Sequence, residues 1–156
     1  GGRADVMEQL APLGPVYQAG TLAGNPVTMA AGRETLALLD SAAYARLEAL
    51  GERMALGLVR VLAERGVPGC VQRAGSMLTL FFGIAQARTL AEVEHLDRAR
   101  FRTFFYGMLA RGFYLPPSPF EALFLSLAHS EGDVDDFLAA AYEVLREGDT
   151  GERAGR

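Results

Sequence analysis

The chain has 156 residues, 15 basic against 19 acidic for a net charge of −4, with 50% hydrophobic residues and a single cysteine. A chain of this size buries roughly two-thirds of its surface, as one domain or as the end of one and a small second. Interspersed charge excludes the clustered basic face of a nucleic-acid binder, and no apolar run has membrane-spanning length. Residues 1–5 carry no apolar signal segment, and the lone Cys70 excludes an internal disulfide framework, which points to a reducing cytoplasm.

Residues 5–10 form a short amphipathic stretch that stops at Pro12-Leu13-Gly14-Pro15, a strong breaker run. Residues 16–24, rich in Gly and small side chains, read as a loop with at most a short strand. Asn25 as N-cap and Pro26 at the first helical position predict a helix running to about Leu39. Asp40 or Ser41 caps a second helix to about Arg65, in which Leu47, Leu50, Met54, Leu58, Val61 and Leu62 recur at helical spacing. Gly66 ends it in the usual way.

From Val67 the pattern turns to strands, a short one over 71–74 and a stronger one over 77–82, where β-branched and aromatic residues dominate. Thr89 and Glu92 have capping-box spacing and open a helical region that breaks near Asp97 and buries Leu96, Phe101, Phe104, Phe105, Met108 and Leu109. Gly112 stops it, residues 113–115 resume extended structure, and 123–128 make another strand. Ser130 caps a last helix with Val134, Phe137, Leu138, Ala141, Val144 and Leu145 on one stripe, and 149–156 read as a disordered polar tail. Long helices followed by a small sheet with interleaved helices predict an α+β layer of mostly antiparallel strands, with the domain boundary between Ser41 and Gly66.

All 15 basic residues are Arg. The chain therefore supplies neither a Schiff-base amine nor a P-loop lysine, and if it serves an enzyme that needs a Lys it is not the whole of it. A coding bias is the plainer account of the same fact. His95, His129 and Cys70 are too scattered for a metal cluster.

Two segments could carry chemistry. Gly20-Thr21-Leu22-Ala23-Gly24-Asn25-Pro26 combines close backbone approach, a hydroxyl and a helix start, the parts of a phosphate cradle, although the same run also serves simply as a turn into a helix. In the second, Glu121 follows a proline-stiffened loop and precedes an apolar run. It is either a solvent-facing carboxylate at a strand edge or a functional group, and Ser118 beside it is either a hydrogen-bond donor or a turn residue.

Read together, residues 1–7, the run Tyr17-Gln18-Ala19-Gly20-Thr21 with Gly24-Asn25-Pro26, and Pro116-Pro117-Ser118-Pro119-Phe120-Glu121-Ala122 continuing to Ser126-Leu127-Ala128-His129-Ser130 resemble the class III pyridoxal-phosphate-dependent aminotransferases. The Gly-Asn-Pro block fits many members. Tyr17-Gln18-Ala19-Gly20 and Phe120-Glu121-Ala122 resemble the branch whose reaction is intramolecular, an aminomutase.

The resemblance implies the C-terminal part of an α/β transferase of fold type I. Residues 1–40 would end the large cofactor-binding domain, 41–65 would form a long connecting helix, and 66–148 a small α+β domain with a mostly antiparallel sheet and flanking helices. The lysine that holds the cofactor would lie upstream, leaving the chain inactive alone. By the same resemblance Gly20 and Thr21 reach the phosphate of pyridoxal 5'-phosphate across a homodimer interface, and Tyr17 lines the shared site. Glu121 stands where related aminotransferases place a substrate-binding Arg, disfavouring an α-carboxylate and attracting the amines of a 4,5-diamino species, with Ser118 as its neighbour. The implied reaction starts from the pyridoxamine 5'-phosphate form and moves an amino group of (S)-4-amino-5-oxopentanoate to give 5-aminolevulinate for porphyrin synthesis. An aminotransferase acting on another amine, or a non-catalytic α+β interaction module, remains open on the residues alone.

Overall fold

The computed structural model describes the backbone of residues 1–153 and the side chains through Arg146. The chain divides into two compact units, Gly1–Leu39 and the remainder from Asp40 onward.

The first unit holds a one-turn helix α1 (Ala4–Met7), an isolated parallel bridge between Leu10 and Val16, and the helix α2 (Pro26–Ala37). The breaker run folds back tightly, with the Gly14 N–H donating to the Leu10 carbonyl at 2.9 Å. A Cβ at Gly14 would sit 2.2 Å from the Gln9 carbonyl oxygen, so only glycine fits there. Asn25 caps α2 as its sequence predicts, its side-chain oxygen accepting the N–H groups of Val27 at 3.0 Å and Thr28 at 3.1 Å.

The second unit begins at the cap of α3 (Ser41–Arg65), where the Asp40 carboxylate accepts the Ala43 N–H at 2.8 Å. The division thus precedes this helix rather than falling within or after it, because α3 packs its own apolar stripe into the core of the second unit. Gly66, at φ 63°, closes α3, and the hairpin of β1 (Gly69–Ala74) and β2 (Met77–Phe82) follows. Gly75 turns this hairpin at φ 61°, a left-handed conformation that favours glycine. The short helix α4 (Leu90–Val93) carries the complete Thr89–Glu92 capping box. Asp97 caps α5 (Arg98–Leu109), and β3 (Leu123–Phe124) precedes the final helix α6 (Glu131–Arg153).

The sheet is antiparallel in the order β1-β2-β3, with Gly69 opposite Phe82 and Leu78 opposite Leu123. Helices α3 and α5 pack on β2, and α6 packs on both helices. The core between them holds Leu58, Leu78, Phe82, Met108 and Val134, all essentially without exposed surface. Burying each contributes roughly 1.5–3 kcal/mol. The Phe82 and Phe104 rings meet edge to face at 5.3 Å.

Two glycines let the helices approach. A Cβ at Gly57 would strike the Leu138 side chain of α6 at 2.2 Å, and one at Gly107 would strike Val144 at 2.6 Å. Arg53 of α3 forks onto Asp135 of α6 through two hydrogen bonds of 2.9 and 2.7 Å, tying the same pair of helices at the surface.

Three elements differ from the sequence reading. The strand expected over 123–128 contracts to two residues, because the chain turns at Ser126, whose N–H donates to His129 Nδ1 at 3.0 Å while the His129 N–H returns to the Ser126 carbonyl. Residues 113–115 join no ladder, since the Phe113 N–H is spent closing the end of α5 on the Met108 carbonyl. The last helix continues to Arg153 in place of the polar tail expected from 149. Gly148 and Gly151 each cost the helix about 1 kcal/mol and do not end it. Residues 154–156 of that expected tail lie outside the described residues. No helix among the described residues is long and apolar enough to cross a membrane.

Candidate functional site

The residues singled out from the sequence fall into two groups, one in each unit. Tyr17, Gly20 and Thr21 lie on the irregular segment that joins the Leu10–Val16 bridge to α2. A turn shapes this segment, with the Ala23 N–H donating to the Gly20 carbonyl at 2.9 Å and the Asn25 N–H to the Leu22 carbonyl at 3.1 Å. Gly24 follows at φ 71°. The Tyr17 side chain is 83% exposed, and Gly20 and Thr21 are exposed with it. Neither the Thr21 hydroxyl nor its N–H has a partner among the described residues.

The helix start beyond this turn is less open than its sequence suggests. Pro26 has no N–H to offer, and the Asn25 side chain already occupies the Val27 and Thr28 donors. An anion approaching this segment therefore meets Thr21, not the end of α2.

In the second unit, Ser118 and Glu121 share one tight turn between the proline run and β3. The Ser118 hydroxyl accepts the Phe120 N–H at 3.3 Å, and the Ser118 carbonyl accepts the Glu121 N–H at 3.2 Å. Ser118 thus builds the turn, while the Glu121 side chain stands exposed at its end. Two contacts pin the turn to the fold. The Arg98 guanidinium of α5 lies 5.1 Å over the Phe120 ring, and the Thr79 hydroxyl of β2 donates to the Glu121 carbonyl at 3.4 Å. Thr79, Ser118 and Glu121 line a narrow, mainly apolar crevice together with Pro116, Pro119 and Phe137.

Neither Thr79 nor Arg98 stands out in the sequence reading. The available signal was the single hydroxyl in the otherwise apolar run Met77-Leu78-Thr79-Leu80-Phe81-Phe82. The remaining titratable groups serve the scaffold. Burial, and secondarily the charge of Glu92, push the Cys70 thiol up, which keeps it protonated and unreactive. His129 accepts from Ser126 and braces the turn before α6. Hydrogen bonds from the Arg88 and Thr89 N–H groups hold the Glu92 carboxyl low, and those from Ser130 do the same for Asp133. Among the described residues no three His, Cys, Asp or Glu side chains converge as metal ligands.

No family model matches the sequence. Over 146 residues it is 52% identical to the glutamate-1-semialdehyde 2,1-aminomutase of Thermus thermophilus, a match that covers 92% of this chain and 34% of that protein. The glutamate-1-semialdehyde aminomutase of Pseudomonas aeruginosa, solved in complex with PMP, superimposes with a TM-score of 0.72 at 26% identity, over 86% of this chain and 31% of that one. An omega-transaminase from Sphaerobacter thermophilus superimposes with a TM-score of 0.68 at 31% identity, over 94% and 34% respectively. The chain spans about a third of the length of the curated relatives it matches, and over that third its fold is the one these transaminases share.

Proposed function

We propose that this chain is the C-terminal portion of a glutamate-1-semialdehyde 2,1-aminomutase. The whole enzyme would be a pyridoxal-phosphate-dependent intramolecular aminotransferase, converting (S)-4-amino-5-oxopentanoate to 5-aminolevulinate in the reducing cytoplasm. The observation that carries this reading is the 52% identity across 92% of the chain, which takes in both site-bearing segments. The absence of any Lys means that the amine anchoring the cofactor is not among these residues.

The residues present suit the cofactor they would meet. A dianionic phosphate needs hydrogen-bond donors without competing partners, and the exposed Thr21 hydroxyl and N–H are such donors. Gly20 keeps the approach free of a side chain. A Cβ there would lie 3.0 Å from that of Ala23, a tight contact that glycine avoids. We place the phosphate of the partner subunit's cofactor here, with Tyr17 lining the shared pocket of a homodimer.

When bound, pyridoxal phosphate supplies the electron sink for moving the amino group; orientation and electrostatics fall to the protein. In this chain the Glu121 carboxylate would do the latter work. It repels a substrate α-carboxylate and attracts protonated amines, favouring a substrate whose amino group has an aldehyde beside it over an ordinary amino acid. Ser118 holds the turn that presents it.

The test is made on the full-length parent. Supplied with the semialdehyde and no keto-acid acceptor, it should form 5-aminolevulinate. Turnover that appears only when an acceptor is added would make it a transaminase for another amine.

A further inference from the structure

Glu121 ends an exposed turn, yet its backbone is held from both sides. Its N–H donates to the Ser118 carbonyl at 3.2 Å, and its carbonyl accepts the Thr79 hydroxyl at 3.4 Å. The first bond is internal to the turn and travels with it. The second reaches across to β2, the central strand of the sheet, whose neighbours Leu78 and Leu80 are buried in the core. Two residues further on, Leu123 enters the ladder opposite Leu78. The Thr79 hydroxyl is therefore the hydrogen bond that refers the Glu121 backbone directly to the rigid sheet.

The side chain choice bears on this. A strand position flanked by Leu78 and Leu80 would be filled equally well by valine, which has the shape of threonine without its hydroxyl. A carboxylate acting at a distance is sensitive to its placement, since displacement of a binding group by about 1 Å can cost a large factor in rate.

We propose that Thr79 is a positioning residue for the Glu121 carboxylate, acting through the Glu121 carbonyl and not through contact with substrate. This rests on the aminomutase reading above. The test is a double-mutant cycle in the full-length parent, combining Thr79→Val with Glu121→Gln and using Thr79→Ser as the variant that keeps the hydroxyl. We expect Thr79→Val to lower kcat/KM for the semialdehyde roughly three- to tenfold, the range of one modest hydrogen bond. Cofactor absorbance and Tm should stay at wild-type values, and Thr79→Ser should restore most of the rate. In the Glu121→Gln background the same Thr79→Val change should cost less than about twofold, because the group it positions is already gone.

An equal loss in both backgrounds, a wild-type rate for Thr79→Val, or a Tm loss of several degrees would each overturn the proposal. A parent that makes no 5-aminolevulinate without an acceptor would refute the aminomutase reading instead. The cycle then runs on whichever amine the parent does turn over, where loss of coupling still overturns the role of Thr79 and retained coupling upholds it.

Discussion

The two units satisfy the same local rules with opposite outcomes in packing. In Gly1–Leu39 the turns close and α2 is capped by Asn25, yet no residue is buried, and Leu13, Leu22, Val27, Leu36 and Leu38 all stand mostly exposed. From Asp40 onward, comparable caps at Asp40 and Asp97 precede helices whose apolar stripes close over one core. Capping and turn chemistry are thus enough to specify helices, but they do not supply burial. A twelve-residue helix with no apolar face covered is marginal in water. The second unit carries its own source of stability; the first leaves its apolar side chains and the Thr21 donors exposed.

The contrast can be attacked directly. Phe82→Ala empties the centre of the second unit and should destabilise it by about 3–5 kcal/mol, whereas Leu36→Ala in α2 should cost less than about 0.5 kcal/mol in denaturant melts. Equal effects would erase the distinction. Gly51→Ala drives a Cβ to 2.2 Å from the Gly75 carbonyl oxygen, a backbone atom with little room to yield, and should cost about 3 kcal/mol. Gly32→Ala, in open space on α2, should instead add about 0.5–1 kcal/mol to that helix, read as a gain in helical circular dichroism.

Smaller effects sharpen the comparison. Thr21→Val in the full-length parent should weaken cofactor retention about tenfold in equilibrium dialysis with Tm of the apoprotein unchanged, since Thr21 supports no packing. Unaltered affinity would remove Thr21 from the phosphate site. Ser130→Ala takes away the hydroxyl that accepts the Asp133 N–H at 3.1 Å and should cost the second unit about 1 kcal/mol.

The same cap predicts a pH dependence. Bonds from the Ser130 N–H and hydroxyl lower the Asp133 carboxyl in the folded state. Its contribution is therefore complete above the ordinary aspartate value of about 3.9 and is lost as pH falls through the lower folded-state value. Urea midpoints should be flat between about pH 7 and 5 and decline only below about 4. Ser130→Ala should flatten that decline.

Much of this was legible in residue order. The caps Asn25, Asp40 and Thr89, the break near Asp97, the stop at Gly66, the strand over 77–82 and the apolar stripes of α3 and α6 are all local patterns, and the structure realises them. The third strand is shorter than expected because apolar residues resume at Leu127 and Ala128, past the point where Ser126 and His129 turn the chain, a competition between side-chain hydrogen bonds and ladder pairing that propensity does not weigh. Gly51, Gly57 and Gly107, which propensity alone counts against their helices, are contact points, visible only once a second element lies against each of them. At the site, Glu121 and Ser118 were recognisable from their segment, whereas the roles of Thr79 and Arg98 arise from residues 42 positions apart in one case and from a ring contact in the other.

Residue order alone determined the helix ends, the hairpin strands and the two candidate segments, because capping, turn formation and amphipathic spacing involve partners within a few positions along the chain. Which glycines admit a neighbouring helix, where the sheet stops, and what holds the Glu121 turn against β2 were decided by the tertiary structure. Those contacts join elements far apart in sequence, and their energies exist only after the core has brought the elements together.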